Sequence, residues 1–207
     1  MKPHDLLWVP TASLTGFDGR LPNWLSAKET VVVVRRDRHD QGRIPVGVRG
    51  QSKEERLAAF VPPSCITHKV TPYDLVRGKT WLSHPDLGHH PVLLTVQQVA
   101  PVLDAMGLPW GITGSLGFEL ATGVPCLHAK SDLDLVIDAP TLLDRSSAQV
   151  IAHALSDTPC RWDIQLETPM GAVALAEWAR HSKVLVKTNL GPCLTESPWH
   201  SQWEASA

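Results

Sequence analysis

What this chain has little of narrows it first. Only four of its 207 residues are cysteine, and Cys65, Cys126, Cys160 and Cys193 form no Cys-x-x-Cys pair. That spacing excludes a disulfide-dense scaffold and argues against a thiolate zinc site. Small apolar side chains in a reducing compartment are the expected role. Charged residues make up 19% and the formal net charge is −2. A chain so weakly charged, with no nucleic-acid motif, is not expected to bind nucleic acid. No apolar run approaches the ~20 residues that span a bilayer, so no membrane contact is expected. The opening residues Met1-Lys-Pro-His-Asp5 lack the apolar centre of a signal peptide, which leads us to expect a cytoplasmic protein.

What is present suffices for a folded enzyme-sized chain. Hydrophobic residues account for 43%, ordinary for a globular protein, and the length allows one large or two small domains. Charge is unevenly spread. Residues 1–100 hold 13 Lys/Arg against 9 Asp/Glu, whereas residues 101–207 hold 6 against 12. We place a boundary near residue 85, giving a basic N-terminal domain (1–85) for substrate or carrier contacts and a catalytic domain (86–207). In the first, Val31–Val34 predict a strand over residues 30–35. A second strand is predicted over 44–48, with Pro45 confining it to a sheet edge. Ser52-x-x-Glu55 is a capping-box pattern and predicts a helix to residue 60 carrying Lys53 and Arg56. Arg49 and Arg56 are candidate contacts for phosphate or an acidic partner, because a guanidinium grips oxyanions as a fork. Trp8 and Trp24 are candidate anchors.

The proline-rich segment 61–92 is expected to connect the domains, with His84, His89 and His90 in a loop. A helix is predicted over 95–106, opened by Thr95 and kinked or delayed by Pro101. A second helical region should start at Pro140 and reach Leu155, with a short helix over 175–181 and a strand over 184–188. The tail from Thr195, with Trp199 and Trp203, shows little periodicity and is expected to lie on the surface.

The chemistry concentrates in Trp110-Gly-Ile-Thr-Gly-Ser-Leu-Gly-Phe-Glu119 and Ser131-Asp-Leu-Asp-Leu-Val-Ile137. Gly114 and Ser115 fall at a predicted strand-to-helix turn, where backbone N–H groups and a hydroxyl favour phosphate. Asp132 and Asp134 lie two apart on a predicted strand and share one face, roughly 6–7 Å between Cα atoms. At that separation, and an effective dielectric near 20, two carboxylates repel by roughly 3 kcal/mol. Either both point into water or a hard cation such as Mg²⁺ sits between them. A third carboxylate, Asp163, lies on the alternating segment Cys160-Arg-Trp-Asp-Ile-Gln-Leu-Glu167 and would join them if the strands are neighbours. Glu167 competes for that place. Lys187 is a candidate triphosphate contact.

A Gly-Ser turn, an Asp-x-Asp strand and a third acidic strand residue together resemble the nucleotidyltransferase superfamily. The interval from Ser115 to Asp132 is longer than in its commonest members. The fuller string Gly114-Ser-Leu-Gly-Phe-Glu-Leu-Ala-Thr-Gly123 with Ser131-Asp-Leu-Asp-Leu135 is similar to a narrower family, the phosphoribosyl-dephospho-CoA transferases (holo-acyl-carrier-protein synthases) of malonate decarboxylase. Val32-Val-Val-Arg-Arg36, Ile44-Pro-Val-Gly-Val-Arg-Gly50 and Gly171-Ala-Val-Ala-Leu-Ala-Glu-Trp178 extend the likeness along the chain. The resemblance implies an α+β fold, a nucleotidyltransferase-like mixed sheet with flanking helices behind a smaller α/β N-terminal domain. It implies transfer of the prosthetic group from 2′-(5″-triphosphoribosyl)-3′-dephospho-CoA to a serine of the apo acyl carrier subunit, with release of pyrophosphate. Asp132, Asp134 and Asp163 would then be catalytic and hold Mg²⁺, Asp163 completing the metal shell or taking the serine proton. Gly114, Ser115, Lys187, Arg49 and Arg56 would bind substrate. A different Mg²⁺-dependent nucleotidyltransferase, or a non-catalytic nucleotide-binding module, are the alternatives.

Overall fold

The valine run at residues 31–34 builds the middle of an antiparallel sheet. The computed structural model describes residues 1–38, 40–50, 52 and 54–200, so Lys53 and Trp203 lie outside the described residues. Strands β1 (Leu6–Pro10), β2 (Thr15–Gly16), β3 (Glu29–Val34), β4 (Ile44–Arg49), β5 (Arg56–Val61) and β6 (His68–Val70) pair in the order β2-β5-β4-β3-β1-β6. Val32 and Val34 point into a core with Leu7, Val9, Val46 and Val61. Trp24 packs at its margin, and Trp8 meets the His68 ring edge-on at 4.9 Å.

Two expectations for this unit change, and with them its expected α/β character: the described residues of Met1–Thr71 form strands with only two short 3-10 turns. The helix predicted over residues 52–60 is instead β5. The Glu55 side chain does accept the Ser52 N–H (3.1 Å), as a capping box would begin, but Gly50 N–H donates to the Glu55 carbonyl and closes a β4–β5 hairpin. Val48 then faces Leu57, Val46 faces Ala59 and Ile44 faces Val61. Pairing three apolar couples in one register outweighs a local helix-start signal. Pro45, expected on a sheet edge, sits in a strand flanked on both sides. The fold tolerates it because β3 ends opposite Val46, and the Pro45 carbonyl still accepts the Arg35 N–H at 2.9 Å. Only the bond that a proline nitrogen cannot donate is missing.

The first compact unit ends at Thr71 and the second begins at Pro72, upstream of the boundary expected near residue 85. Helix α1 (Pro72–Arg77) packs on β7 (Trp110–Ile112): a Cβ on Gly111 would lie 2.5 Å from Pro72. Residues 72–85 therefore contribute to the second unit rather than merely connecting. Next comes α2 (Pro91–Ala105), begun by Pro91 at its first turn and capped by His90, whose Nδ1 accepts the Val92 N–H. Thr95 lies inside that helix, donating its hydroxyl to the Pro91 carbonyl. Pro101 is accommodated on its exposed side.

The remaining elements are α3 (Gly114–Thr122), β8 (Leu133–Asp138), α4 (Arg145–Ala154), β9 (Trp162–Thr168), β10 (Gly171–Ala174), α5 (Leu175–Arg180), β11 (Val184–Thr188) and β12 (Gly191–Thr195). Their sheet runs β12-β11-β10-β9-β8-β7. Only β8 and β9 are parallel, joined by the α4 crossover. Leu133, Leu135, Ile137, Ile164 and Leu166 are buried on one face against the helices. The α+β class expected from the sequence is the one found.

Helix α4 starts at Arg145 instead of Pro140. Asp144 caps it, accepting the Ser147 N–H at 2.9 Å and the Ser147 hydroxyl at 2.7 Å. Arg145 then spans to the end of α5, donating to the carbonyls of Trp178 (2.7 Å), Ser182 (2.6 Å) and His181, with its guanidinium 3.6 Å from the Trp178 ring centre. The tail is not all surface. Trp199 is buried, donates to the Ala139 carbonyl at 2.8 Å and meets Trp178 edge-on. Replacing Arg145 with Met should cost about 2–3 kcal/mol, because three carbonyls lose a charged donor and the indole its cation. Arg145→Lys should recover only part of it, since an ammonium lacks the fork. Urea denaturation midpoints at unchanged slope would check both.

Candidate active site

The site begins with a glycine that nothing else can replace. Gly114 opens α3 at φ +63°, in the left-handed region that favours glycine. A Cβ there would lie 1.9 Å from Asp134 Oδ2. The turn therefore rests directly on the Asp134 carboxyl. Thr113 N–H donates to the Asp134 carbonyl at 2.9 Å, continuing the β7–β8 ladder into the turn. Gly117 repeats the close approach one turn later, where a Cβ would meet the Ile112 carbonyl at 2.7 Å. Thr113 at the N-cap makes no side-chain cap bond and the first turn carries no acidic residue. The positive end of the α3 dipole therefore lies beside the carboxylates with no side-chain cap from Thr113.

Asp134 and Asp163 stand side by side in the parallel β8–β9 register, about one strand spacing (~4.8 Å) apart. Asp132 precedes β8 and is exposed, as is Asp163, while Asp134 is partly buried. Burial first, then the charges of Asp163 and Asp132, push the Asp134 carboxyl up to about 6. That coupling places all three acids in one electrostatic neighbourhood. Among the described residues, no three His, Cys, Asp or Glu side chains converge closely enough to grip a metal by themselves. Mg²⁺ asks less of a protein, since it binds through one or two carboxylates and takes substrate phosphates and waters for the rest. The donor set fits that mode.

Of the other predicted residues, Lys187 is linked to the acids through Gln165. Gln165 Nε2 donates to Asp163 Oδ1 at 2.7 Å, and Lys187 Nζ lies 3.4 Å from Gln165 Oε1. Ser115 is half-buried in the first turn of α3. Glu167 pairs with Asp138 four positions beyond the Asp134–Asp163 pair, which favours Asp163 as the third acid. Arg49 and Arg56 belong to the first unit, directly opposite one another across β4 and β5.

Sequence reading did not assign Glu119, the last residue of the conspicuous glycine-bearing string. Its carboxylate accepts the N–H groups of Cys126 (2.6 Å) and Leu127 (2.7 Å) and pairs with His84 Nε2 at 2.9 Å. Burial opposes its charge, but those hydrogen bonds and the histidine hold its carboxyl below the usual range. The pairing separates His84 from His89 and His90, so the three do not act as one cluster. The signal was a carboxylate one turn after Ser115 in an otherwise apolar helix. Cys160 is another neighbour. Its thiol lies 3.2 Å from the Thr95 hydroxyl, and burial, with the Asp132 and Asp134 charges adding to it, pushes that thiol up. All four cysteines are half-buried.

The arrangement thus sets carboxylates of a parallel strand pair under a glycine turn in an α+β protein. Residues 82–198 match the C-terminal domain of the phosphoribosyl-dephospho-CoA transferase MdcG, and residues 2–72 match its N-terminal domain. The chain belongs to this transferase family. Phosphoribosyl-dephospho-CoA transferases of Klebsiella pneumoniae (strain 342) and Pseudomonas fluorescens (strain Pf0-1) are 43% and 42% identical over 204 and 208 residues, spanning 97% and 98% of this chain and 97% of each relative. That of Pseudomonas syringae pv. tomato is 40% identical over 204 residues. No solved structure matches the chain.

The raised Asp134 value has a definite sign. The native state holds this proton more tightly than the unfolded chain, so the group costs nothing below the free carboxyl's value. Stability falls as pH rises from there through about 6. Asp134→Asn should therefore be more stable than wild type by about 1–2 kcal/mol at neutral pH, after discounting for partial exposure. The gap should close below about pH 4, and paired urea titrations at the two pH values would measure it. Gly114→Ala should abolish turnover while Gly123→Ala, at a left-handed residue with open space around it, should cost only stability. Equal activity losses in the two would remove Gly114 from the site.

Proposed function

We propose that this chain transfers the phosphoribosyl-dephospho-CoA group from 2′-(5″-triphosphoribosyl)-3′-dephospho-CoA to a serine of the apo acyl carrier subunit of malonate decarboxylase. The observation that carries this reading is the close seat of the Gly114 turn on Asp134, with Asp163 alongside. Phosphate oxygens and carboxylates repel unless something mediates, so a fold that presses an anion-accepting turn onto acids is built for a charged, cation-assisted substrate.

In this reading the first-turn N–H groups of α3 and the Ser115 hydroxyl hold the triphosphate. Lys187 adds a cationic contact to the donor. Asp132, Asp134 and Asp163 would hold Mg²⁺, whose contribution is to neutralise charge on the transferred and leaving phosphates. The carrier serine attacks the phosphorus attached to the ribose. One P–O bond to that serine forms, the bond to pyrophosphate breaks, and the hydroxyl proton passes to a carboxylate. Asp163 suits that task because Gln165 fixes one of its oxygens and leaves the other for the proton. No nucleophile from this chain is needed. The rate then comes from positioning and charge complementarity. A cytoplasmic location accords with a chain whose four cysteines form no disulfide framework.

Mass spectrometry of purified apo carrier, incubated with this protein, Mg²⁺ and the triphosphoribosyl precursor, is the direct test. We expect a mass increase matching one phosphoribosyl-dephospho-CoA group, and a rate at least ~100-fold lower with Asp134→Asn. An unmodified carrier under these conditions overturns the reading. Wild-type labelling by the variant removes Asp134 from the mechanism.

A further inference from the structure

The sheet face that carries the acids does not end with them. Gln165 and Glu167 share the face of Asp163; Glu167 lies opposite Ala172, Ala172 opposite Lys187, Lys187 opposite Pro192, and Leu185 opposite Leu194. Side chains alternate across a sheet, so Asp134, Asp163, Lys187, Leu185 and Leu194 all emerge on one side. Burial agrees. Val184 and Val186 are buried, while Leu185 is 39% and Leu194 62% exposed. Leu190, at the β11–β12 turn, is 75% exposed. On the β7 side this same face is covered by α1, where Pro72 presses on Gly111, the partner of Val136. On the other side it runs out to β11 and β12.

The charge around the leucines is also distinctive. Residues 101–207 carry only 6 Lys/Arg, yet Arg180, Lys183 and Lys187 fall within eight consecutive positions. Lys183 and Lys187 are exposed at either end of Leu185. A cross-strand leucine pair thus stands in water between two lysines inside an acidic half, an apolar centre with a charged rim.

The proposed reaction says what must cover such a patch. Its acceptor is a serine hydroxyl, one carbon from the backbone, not the tip of a long arm. The partner's own main chain must therefore come down onto the acids, and its body must rest on the sheet around them. From β9 to β12 is three strand spacings, about 14 Å. A domain of about 100 residues has a radius of gyration near 13 Å. A carrier centred near Asp163 reaches Leu194.

We propose that the outer face of the β11–β12 hairpin, Leu185 and Leu194 between Lys183 and Lys187, is the docking surface for the carrier protein that presents the acceptor serine. The partner surface it fits is apolar at its centre and acidic at its rim. This inference rests on the transfer reaction proposed above. It adds where the acceptor sits and which residues select it.

Kinetics with the full-length chain test it. Leu185→Ser and Leu194→Ser should each raise the carrier KM about 5–10-fold and together about 30-fold or more. The donor KM and kcat at saturating carrier should stay at wild-type levels. Lys183→Glu should raise the carrier KM most at low ionic strength and converge on wild type in high salt. It also supplies a variant that leaves the apolar packing alone, should the serine changes unfold the hairpin. A double leucine variant with intact near-UV circular dichroism and an unchanged carrier KM overturns the proposal, as does a salt-independent Lys183→Glu. Calorimetric titration of apo carrier into Asp134→Asn protein reads docking without turnover. Binding that weakens with the leucine changes supports the docking surface even if wild type fails to label the carrier, which overturns only the reaction. Binding indifferent to those changes, or no binding, overturns the docking surface itself.

Discussion

A backbone glycine lying against a carboxyl group sets the geometry of the catalytic half. Because Gly114 has no Cβ, α3 can begin directly above Asp134, and the start of a helix and a carboxyl group come to share one small volume. Everything around that contact keeps it tight. Gly117 brings the helix down onto the end of β7, and the Thr113 N–H bonds to the strand that carries the acid. Burial beside the charges of Asp163 and Asp132 raises the Asp134 carboxyl, so holding it ionised there is costly. Binding sites commonly carry such a cost.

The sheet then distributes chemistry by face and direction. Its single parallel pair sets Asp134 beside Asp163, which antiparallel neighbours could also do, but the α4 crossover packs its helix on the side opposite the acids. Apolar residues of β8, β9 and β11 fill the opposite side with helices. Arg145 secures that layer by holding the end of α5. The result is a stable back and a chemically dressed front.

Much of this was legible in the sequence. The strand-turn-helix at residues 110–122, the acid strand and the Asp163 strand all follow from alternation and glycine placement, and Asp163 adjoining Asp134 follows once those strands are neighbours. The errors share a cause. Ser52-x-x-Glu55 looked like a helix start and Pro45 like an edge strand, since both signals are local, whereas hairpin pairing with distant β-branched residues decided the outcome. Pro72 could not be assigned to the second unit because its partner, Gly111, lies 39 positions on. Trp199 was invisible for the same reason: its hydrogen bond is to Ala139. Periodicity reports which face is apolar, not which remote backbone atom waits for a donor.

Glu119 bears on the unusually long stretch between Ser115 and Asp132. Its one carboxylate holds two successive amides of the following loop and a histidine from far upstream. The added residues are consequently not slack. They are stitched to the helix they leave, which ties the loop before the acid strand to the helix that follows the Gly114 turn. A residue gained or lost between 124 and 130 would shift that stitch and misalign the two ends of the site, so relatives that change length should do so elsewhere.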